Sequence, residues 1–146
     1  MKGVIFMGAQ ASGKSTFYLQ QFYKTHIRIN LDMLKTRHRE ALIFQACLNA
    51  KQPVVIDNTN PTREVRQKYL TGFQEHRFHV TGYFFESSLA DCLRRNDQRQ
   101  GKEKIPEVGV RSTYHKLEKP TLAEGFDELF SVKISDSGFV VSPFTL

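Results

Sequence analysis

The apolar positions of this chain fall into two patterns. Gly3-Val4-Ile5-Phe6-Met7 and Pro53-Val54-Val55-Ile56-Asp57 are apolar almost without interruption. Such runs fit strands buried on both faces, as in parallel sheets. His26 to Asn30 alternates polar and apolar, which predicts a further strand, and Phe78 to Phe85 and Leu129 to Ile134 read as two more. Phe139 to Val141 is expected to pair beside the last of these.

Between the strands the spacing becomes helical. Thr16 to Tyr23 predicts a first helix. Leu34, Ala41, Phe44 and Leu48 recur at helical intervals, so one long amphipathic helix is expected from Asp32 to about residue 50, broken by Lys51-Gln52-Pro53. Asn60 and Pro61 read as cap and first position of the next helix, whose apolar stripe is Val65, Tyr69 and Phe73. Arg63, Arg66 and Lys68 are expected on its other faces. Ser88 opens a helix running into Arg94-Arg95-Asn96, and Val110, Tyr114 and Leu117 mark a last short one. Arg99 to Pro106, polar, basic and containing Gly101, reads as a mobile flap. Alternating strands and helices predict an α/β fold, a three-layer sandwich of about five parallel strands with helices on both faces. The whole length, 1–146, is expected to form a single domain.

Between the first strand and the first helix stands Gly8-Ala9-Gln10-Ala11-Ser12-Gly13-Lys14-Ser15. A Gly-x-x-x-x-Gly-Lys-Ser loop in that context wraps backbone N–H groups around phosphate oxygens, and the helix after it adds its unpaired donors and the positive end of its dipole. Gly8 and Gly13 suit backbone that a Cβ would obstruct. Lys14 reaches the outer phosphates, and the Ser15 hydroxyl is a ligand for Mg²⁺. The loop, with Thr16 behind it, therefore reads as a P-loop for a nucleoside triphosphate.

Ligands of such sheets bind beyond the carboxyl ends of the strands. The residues there are Gly8 to Ser15, Asp32, Asp57 to Asn60 and Glu86 to Ser88. Two carboxylates thus face a phosphate loop. Asp57 suits Mg²⁺, and Asp32 suits a general base toward an acceptor hydroxyl. Arg99 and Arg95 suit the transferring phosphate as arginine fingers. Each has a plainer alternative: Asp32 as a helix cap, Asp57 as a brace for the turn before Pro61, and the arginines as helix-end cations.

Charge narrows the partners. The net charge of +6 lies in two segments: residues 63–77 carry four basic and two acidic side chains, and 94–119 carry eight and four. That concentration suits a polyanion or simply a solvated face. No run approaches membrane-span length, the amino terminus does not read as a signal peptide, and Cys47 and Cys92 are isolated, so a reducing cytoplasm is expected. The five histidines show no metal spacing.

GAQASGKST at 8–16, INLD at 29–32, VVIDNTNPTRE at 54–64, RRNDQRQGKEKIP at 94–106 and KPTLAEGFDEL at 119–129 together resemble the phosphate-loop 5′-hydroxyl polynucleotide kinases. The resemblance runs nearly full length and in order. It implies that Lys14 and Ser15 serve ATP and Mg²⁺, that Asp32 is the general base, and that Arg99 sits at the phosphates. It also implies that Asp57, Thr59, Asn60 and Arg63 line the acceptor groove or support the metal. The acceptor would be a 5′-hydroxyl end of DNA or RNA. Two departures stand out. Leu31 occupies the middle of the usual Asn-Arg-Asp, removing a basic side chain, and Gln10-Ala11 replaces Pro-Gly. No Asp-x-Asp phosphatase signature is present. The competing readings are a kinase of a nucleoside or other small hydroxylated molecule, and a nucleotide-binding regulatory module without transfer.

Overall fold

The computed structural model describes residues 1–145. Its strands are β1 (Lys2–Met7), β2 (Ile27–Ile29), β3 (Val54–Ile56), β4 (His79–Phe85), β5 (Glu128–Ser135) and β6 (Gly138–Pro143). They form one sheet in the order β2-β3-β1-β4-β5-β6. Every pairing is parallel except the last, where β6 returns antiparallel to β5 across a tight turn. The expected parallel core is therefore present, with the 139–141 segment paired as a sixth strand.

The central position of β1 explains its unbroken apolar run. Successive side chains of a strand point to opposite faces, so both faces must be apolar if both are covered. Ile5 and Met7 join Ile29, Val54, Ile56, Leu70 and Phe73 on one face, where α3 (Arg37–Ala50) and α4 (Arg63–Glu75) pack. Val4 and Phe6 join Phe17, Val55, Phe85 and Val132 on the other, under α1 (Lys14–Gln21). Much of that second face is aromatic: the Phe6 ring centroid lies 5.1 Å from Phe85 and 5.8 Å from Phe17, and Phe17 reaches Phe139 at 5.2 Å. These edge-on contacts fix α1 relative to the strand end from which the phosphate loop departs. Cys92 on α5 (Leu89–Asp97) and Val110 on α6 (Glu107–Lys116) pack with Ala9 of that loop. Both cysteines are free and buried. Among the described residues no helix is long and apolar enough to cross a membrane.

Three expectations need correction. The single helix from Asp32 to residue 50 is two: α2 (Leu31–Leu34) ends at Lys35, whose φ is +75°, and α3 restarts with the Thr36 side chain accepting from the Arg39 N–H at 3.1 Å. The break lets α2 stay at the sheet edge, burying none of its residues, while α3 buries Cys47 and Leu48. Asn60 does not cap α4; the Thr62 hydroxyl does, accepting from Val65 N–H at 3.2 Å, and Asn60 adopts a positive φ of 43° before it. Arg66 is not an outer-face residue. It is fully buried, its guanidinium donating to both carboxylate oxygens of Glu124 at 2.9 and 3.2 Å and to the carbonyls of Asn60 and Glu118 at 3.1 and 3.0 Å.

That arginine ties two connections, β3 to α4 and α6 to β5, to α4, and breaking a buried ion pair removes the main compensation of its partner's charge. Arg66→Met is expected to lower the unfolding free energy by about 3–5 kcal/mol in urea denaturation. Arg63→Ala, one turn earlier and exposed, is expected to change it by less than about 0.5 kcal/mol.

Candidate active site

The phosphate loop leaves β1 at Met7 and enters α1 at Lys14. It turns through Ala11 at φ +61° and Gly13 at φ +98°, the second a left-handed conformation that glycine adopts without strain. Crowding fixes the other glycine: a Cβ on Gly8 would lie 2.9 Å from Phe85 Cβ and 2.9 Å from Ser12 Oγ. Gly13 occupies the position before α1 and offers no side-chain cap, so the first N–H groups of the helix stay open to an anion. Lys14 folds back over the loop, its Nζ donating to the carbonyls of Gly8 and Ala9 at 2.9 and 2.7 Å. Burial pushes this ammonium down to about 8, against the opposing pull of Asp57.

Next to the loop lies a compact charged cluster. Asp57 follows β3, and its N–H donates to Ile29 O of β2 at 2.7 Å. Its carboxylate is 1% exposed and accepts from the Ser15 hydroxyl at 3.3 Å and from Arg28 Nε at 2.8 Å. Arg28 also donates through Nη2 to Ser15 Oγ at 2.9 Å. The sequence reading did not single out Arg28, which stood only as a polar position in an alternating strand. Among the described residues no group of three or more His, Cys, Asp or Glu side chains is arranged to hold a metal. Ser15 and Asp57, which Arg28 bridges here, carry adjacent oxygen atoms of the hard kind that Mg²⁺ takes alongside phosphate oxygens.

Asp32 is placed by stitches between two loops. The Asn30 amide donates to Asp57 O at 2.6 Å, and Leu31 N–H donates to Asn58 Oδ1 at 2.9 Å. The cap of α2 is Asn30, whose Oδ1 accepts from Met33 N–H at 3.0 Å. Asp32 therefore does not cap the helix; it occupies its first turn and lines the cleft. Beneath, Asn58 donates to the buried Glu40 at 3.0 Å, and Glu40 accepts from Tyr69 at 2.8 Å and Arg37 at 3.0 Å. Burial alone would raise the Glu40 carboxyl, but those three donors outweigh it and hold it below the usual range. Burial and that carboxylate together push the Tyr69 hydroxyl up.

The resulting cleft, about 380 Å³, opens at the carboxyl edge of the sheet. It brings together Gln10, Ala11, Lys14, Ser15, Asp32, Asp57, Thr59, Asn60 and Arg99 of the candidates, and adds Arg37, Asn58 and Leu31. Arg95 sits beside the loop, donating to Ala11 O at 3.3 Å and Ser87 Oγ at 3.1 Å. Thr16 lies exposed on α1. Asn60 reaches the wall of the cleft, yet its amide is committed to Phe6 O at 2.7 Å, tying this loop to β1. Arg63 is not brought to the cleft: it faces Glu118 and Glu124 at 3.8 and 3.9 Å. The expected flap is anchored at its base, because buried Asn96 bonds both the N–H and the C=O of Ile105, at 3.0 and 2.6 Å.

Comparison with known proteins gives the same outline. Residues 34–119 match a family described as AAA domain. The bifunctional polynucleotide phosphatase/kinase of Schizosaccharomyces pombe is 31% identical over 133 residues, covering 88% of this chain. The chain spans 33% of that relative's length. Among solved structures, Kti12 of Chaetomium thermophilum in complex with ADP-AlF3 superposes with a TM-score of 0.73 at 13% identity, covering 92% of each chain. A gluconokinase from Sinorhizobium meliloti gives 0.66 at 18% identity, covering 92% of this chain and 83% of that one. At those identities the likeness is one of fold, that of the P-loop NTPases. Joined to the loop at Gly8–Ser15 and to the match over more than half its length, these findings place the chain in the AAA-domain family as a P-loop kinase-like domain.

Proposed function

We propose that this domain is an ATP-dependent kinase that transfers the γ-phosphate to a 5′-hydroxyl end of DNA or RNA. The observation that carries the reading is the shared cleft of Lys14, Ser15 and Asp32, with a triphosphate seat on one side and a carboxylate with no capping duty on the other. The backbone of Gly8 to Thr16, the open start of α1 and the Lys14 ammonium hold the triphosphate. Mg²⁺, held by Ser15 and Asp57, would supply charge neutralisation on the phosphate oxygens. Asp32 accepts the proton of the acceptor hydroxyl as its oxygen attacks the γ-phosphorus and ADP leaves. Arg99, which lines the cleft, and Arg95, beside the loop, offset charge on the transferring group.

The polynucleotide acceptor is supported by the identity to the fission yeast enzyme and by the basic segments. Thr59 and Asp57 border the acceptor side. Asn60 acts there through its hold on β1, and Arg63 stands outside the cleft. Arg37, locked by Glu40, supplies positive charge at the acceptor mouth. A second reading, a small hydroxylated acceptor, is favoured by Leu31, which gives the acceptor wall an apolar residue. Incubation with γ-labelled ATP and a panel of 5′-hydroxyl oligonucleotides, nucleosides and sugars separates the two. Label on oligonucleotides, with binding that weakens steeply in salt, is the expected result. Label confined to small molecules would overturn the polymer reading.

Asp32→Asn is expected to leave ATP affinity within about twofold while lowering transfer by roughly 10²–10⁴, as measured by equilibrium binding and single-turnover assays. Unchanged transfer would remove Asp32 from the chemistry. A pH dependence follows from Lys14. The free protein holds this ammonium only below about 8, and a bound triphosphate favours the charged form. Binding above that pH takes up a proton, so the Kd for ATP is expected to rise about tenfold per pH unit above it. Lys14→Met should bind weakly and without this slope.

A further inference from the structure

The guanidinium of Arg28 occupies the ground between the two oxygens assigned above to a divalent cation. Nε lies 2.8 Å from Asp57 Oδ2 and Nη2 lies 2.9 Å from Ser15 Oγ, while those two oxygens are 3.3 Å apart. A carboxylate that is 1% exposed must be compensated, and no other basic side chain lies within ion-pair distance of Asp57 among the described residues. Arg28 does this from the edge strand β2, with its side chain 26% exposed and its Cζ 5.9 Å from the Tyr18 ring centroid. Tyr18 is itself fixed by donating to His26 O at 2.6 Å. The arginine is thus positioned by its strand and its neighbour but not sealed in, leaving it a short path to solvent.

A guanidinium and a divalent cation compete for these lone pairs: both use Asp57 Oδ2 and Ser15 Oγ, and two positive centres so close together repel. We propose that Arg28 is a built-in competitor for the metal, neutralising Asp57 before the metal arrives and swinging out when it does. This rests on reading Ser15 and Asp57 as the metal pair. Entry of the metal is then an exchange of one cation for another. Its affinity is lowered by the strength of the Arg28 contacts, and metal loads with the triphosphate, whose oxygens supply the ligands that make the exchange favourable. Arg28 would set the metal affinity of the site without touching the transferring group.

The test is Mn²⁺ binding, read by loss of the free-ion paramagnetic resonance signal, on the full chain without nucleotide. Wild type, Arg28→Met, Arg28→Lys and the double variant Arg28→Met with Asp57→Asn are compared, with circular dichroism to confirm folding. Arg28→Met is expected to bind Mn²⁺ at least about tenfold more tightly than wild type, since the buried carboxylate is left unpaired. Arg28→Lys keeps the charge but not the planar two-pronged reach, so a smaller tightening is expected, and it serves if the methionine variant misfolds. The double variant should lose the gain. If it binds as tightly as Arg28→Met, the metal pair is misassigned and the proposal falls with it. If neither folded Arg28 variant binds better than wild type, the competitor role is overturned.

Discussion

A carboxylate sealed at the end of a sheet strand cannot stay charged without donors, and the site is arranged around how Asp57 meets that requirement. The donors come from two directions: Ser15 from the first turn of α1 and Arg28 from β2. Parallel pairing of β2 with β3 and of β3 with β1 brings all three carboxyl ends to one edge, so residues distant in the chain can satisfy one side chain. Asp57 is therefore where the start of α1, the edge strand and the turn at Asn30 are held to one another.

The opposite side of the cleft is built on the same plan. Asn30 and Asn58 each bond across to the other loop, and Asn58 passes the constraint down to Glu40, Tyr69 and Arg37 beneath. Asn58, Glu40, Tyr69 and Arg37 are joined into one network, which lowers the cost of burying them and fixes their geometry. Arg66 and Glu124 do the same farther along α4, holding the chain around Asn60 and Glu118. A cleft whose walls are loops gains rigidity from such charged fasteners, because loops have too little apolar surface to pack rigidly by burial alone.

The comparisons bear on these layers differently. The solved structures share the fold at low identity, which fixes the scaffold. The fission yeast relative shares more residues, but the chain spans 33% of its length, and the activities in its name are those of that whole protein. Leu31 and Arg37 both line the cleft.

Much of this was legible in the residues. Apolar periodicity marked the strands, and the loop at Gly8–Ser15 declared itself between strand and helix, since both are local patterns carrying their own geometry. The convergence of Lys14, Asp32 and Asp57 followed from the rule that such sheets bind ligands at their carboxyl edge. Arg66, expected on an outer face, shares a helical stripe with Tyr69, Leu70 and Phe73, and that spacing is the signal for its burial. Arg28, Arg37 and the fastening role of Asn60 had none. The sequence determined which segments would be strand, helix and phosphate loop, because those depend on near neighbours along the chain. Only the tertiary structure decided which charges would be buried and with whom, because a charged side chain is sheltered or solvated according to which distant segment folds against it.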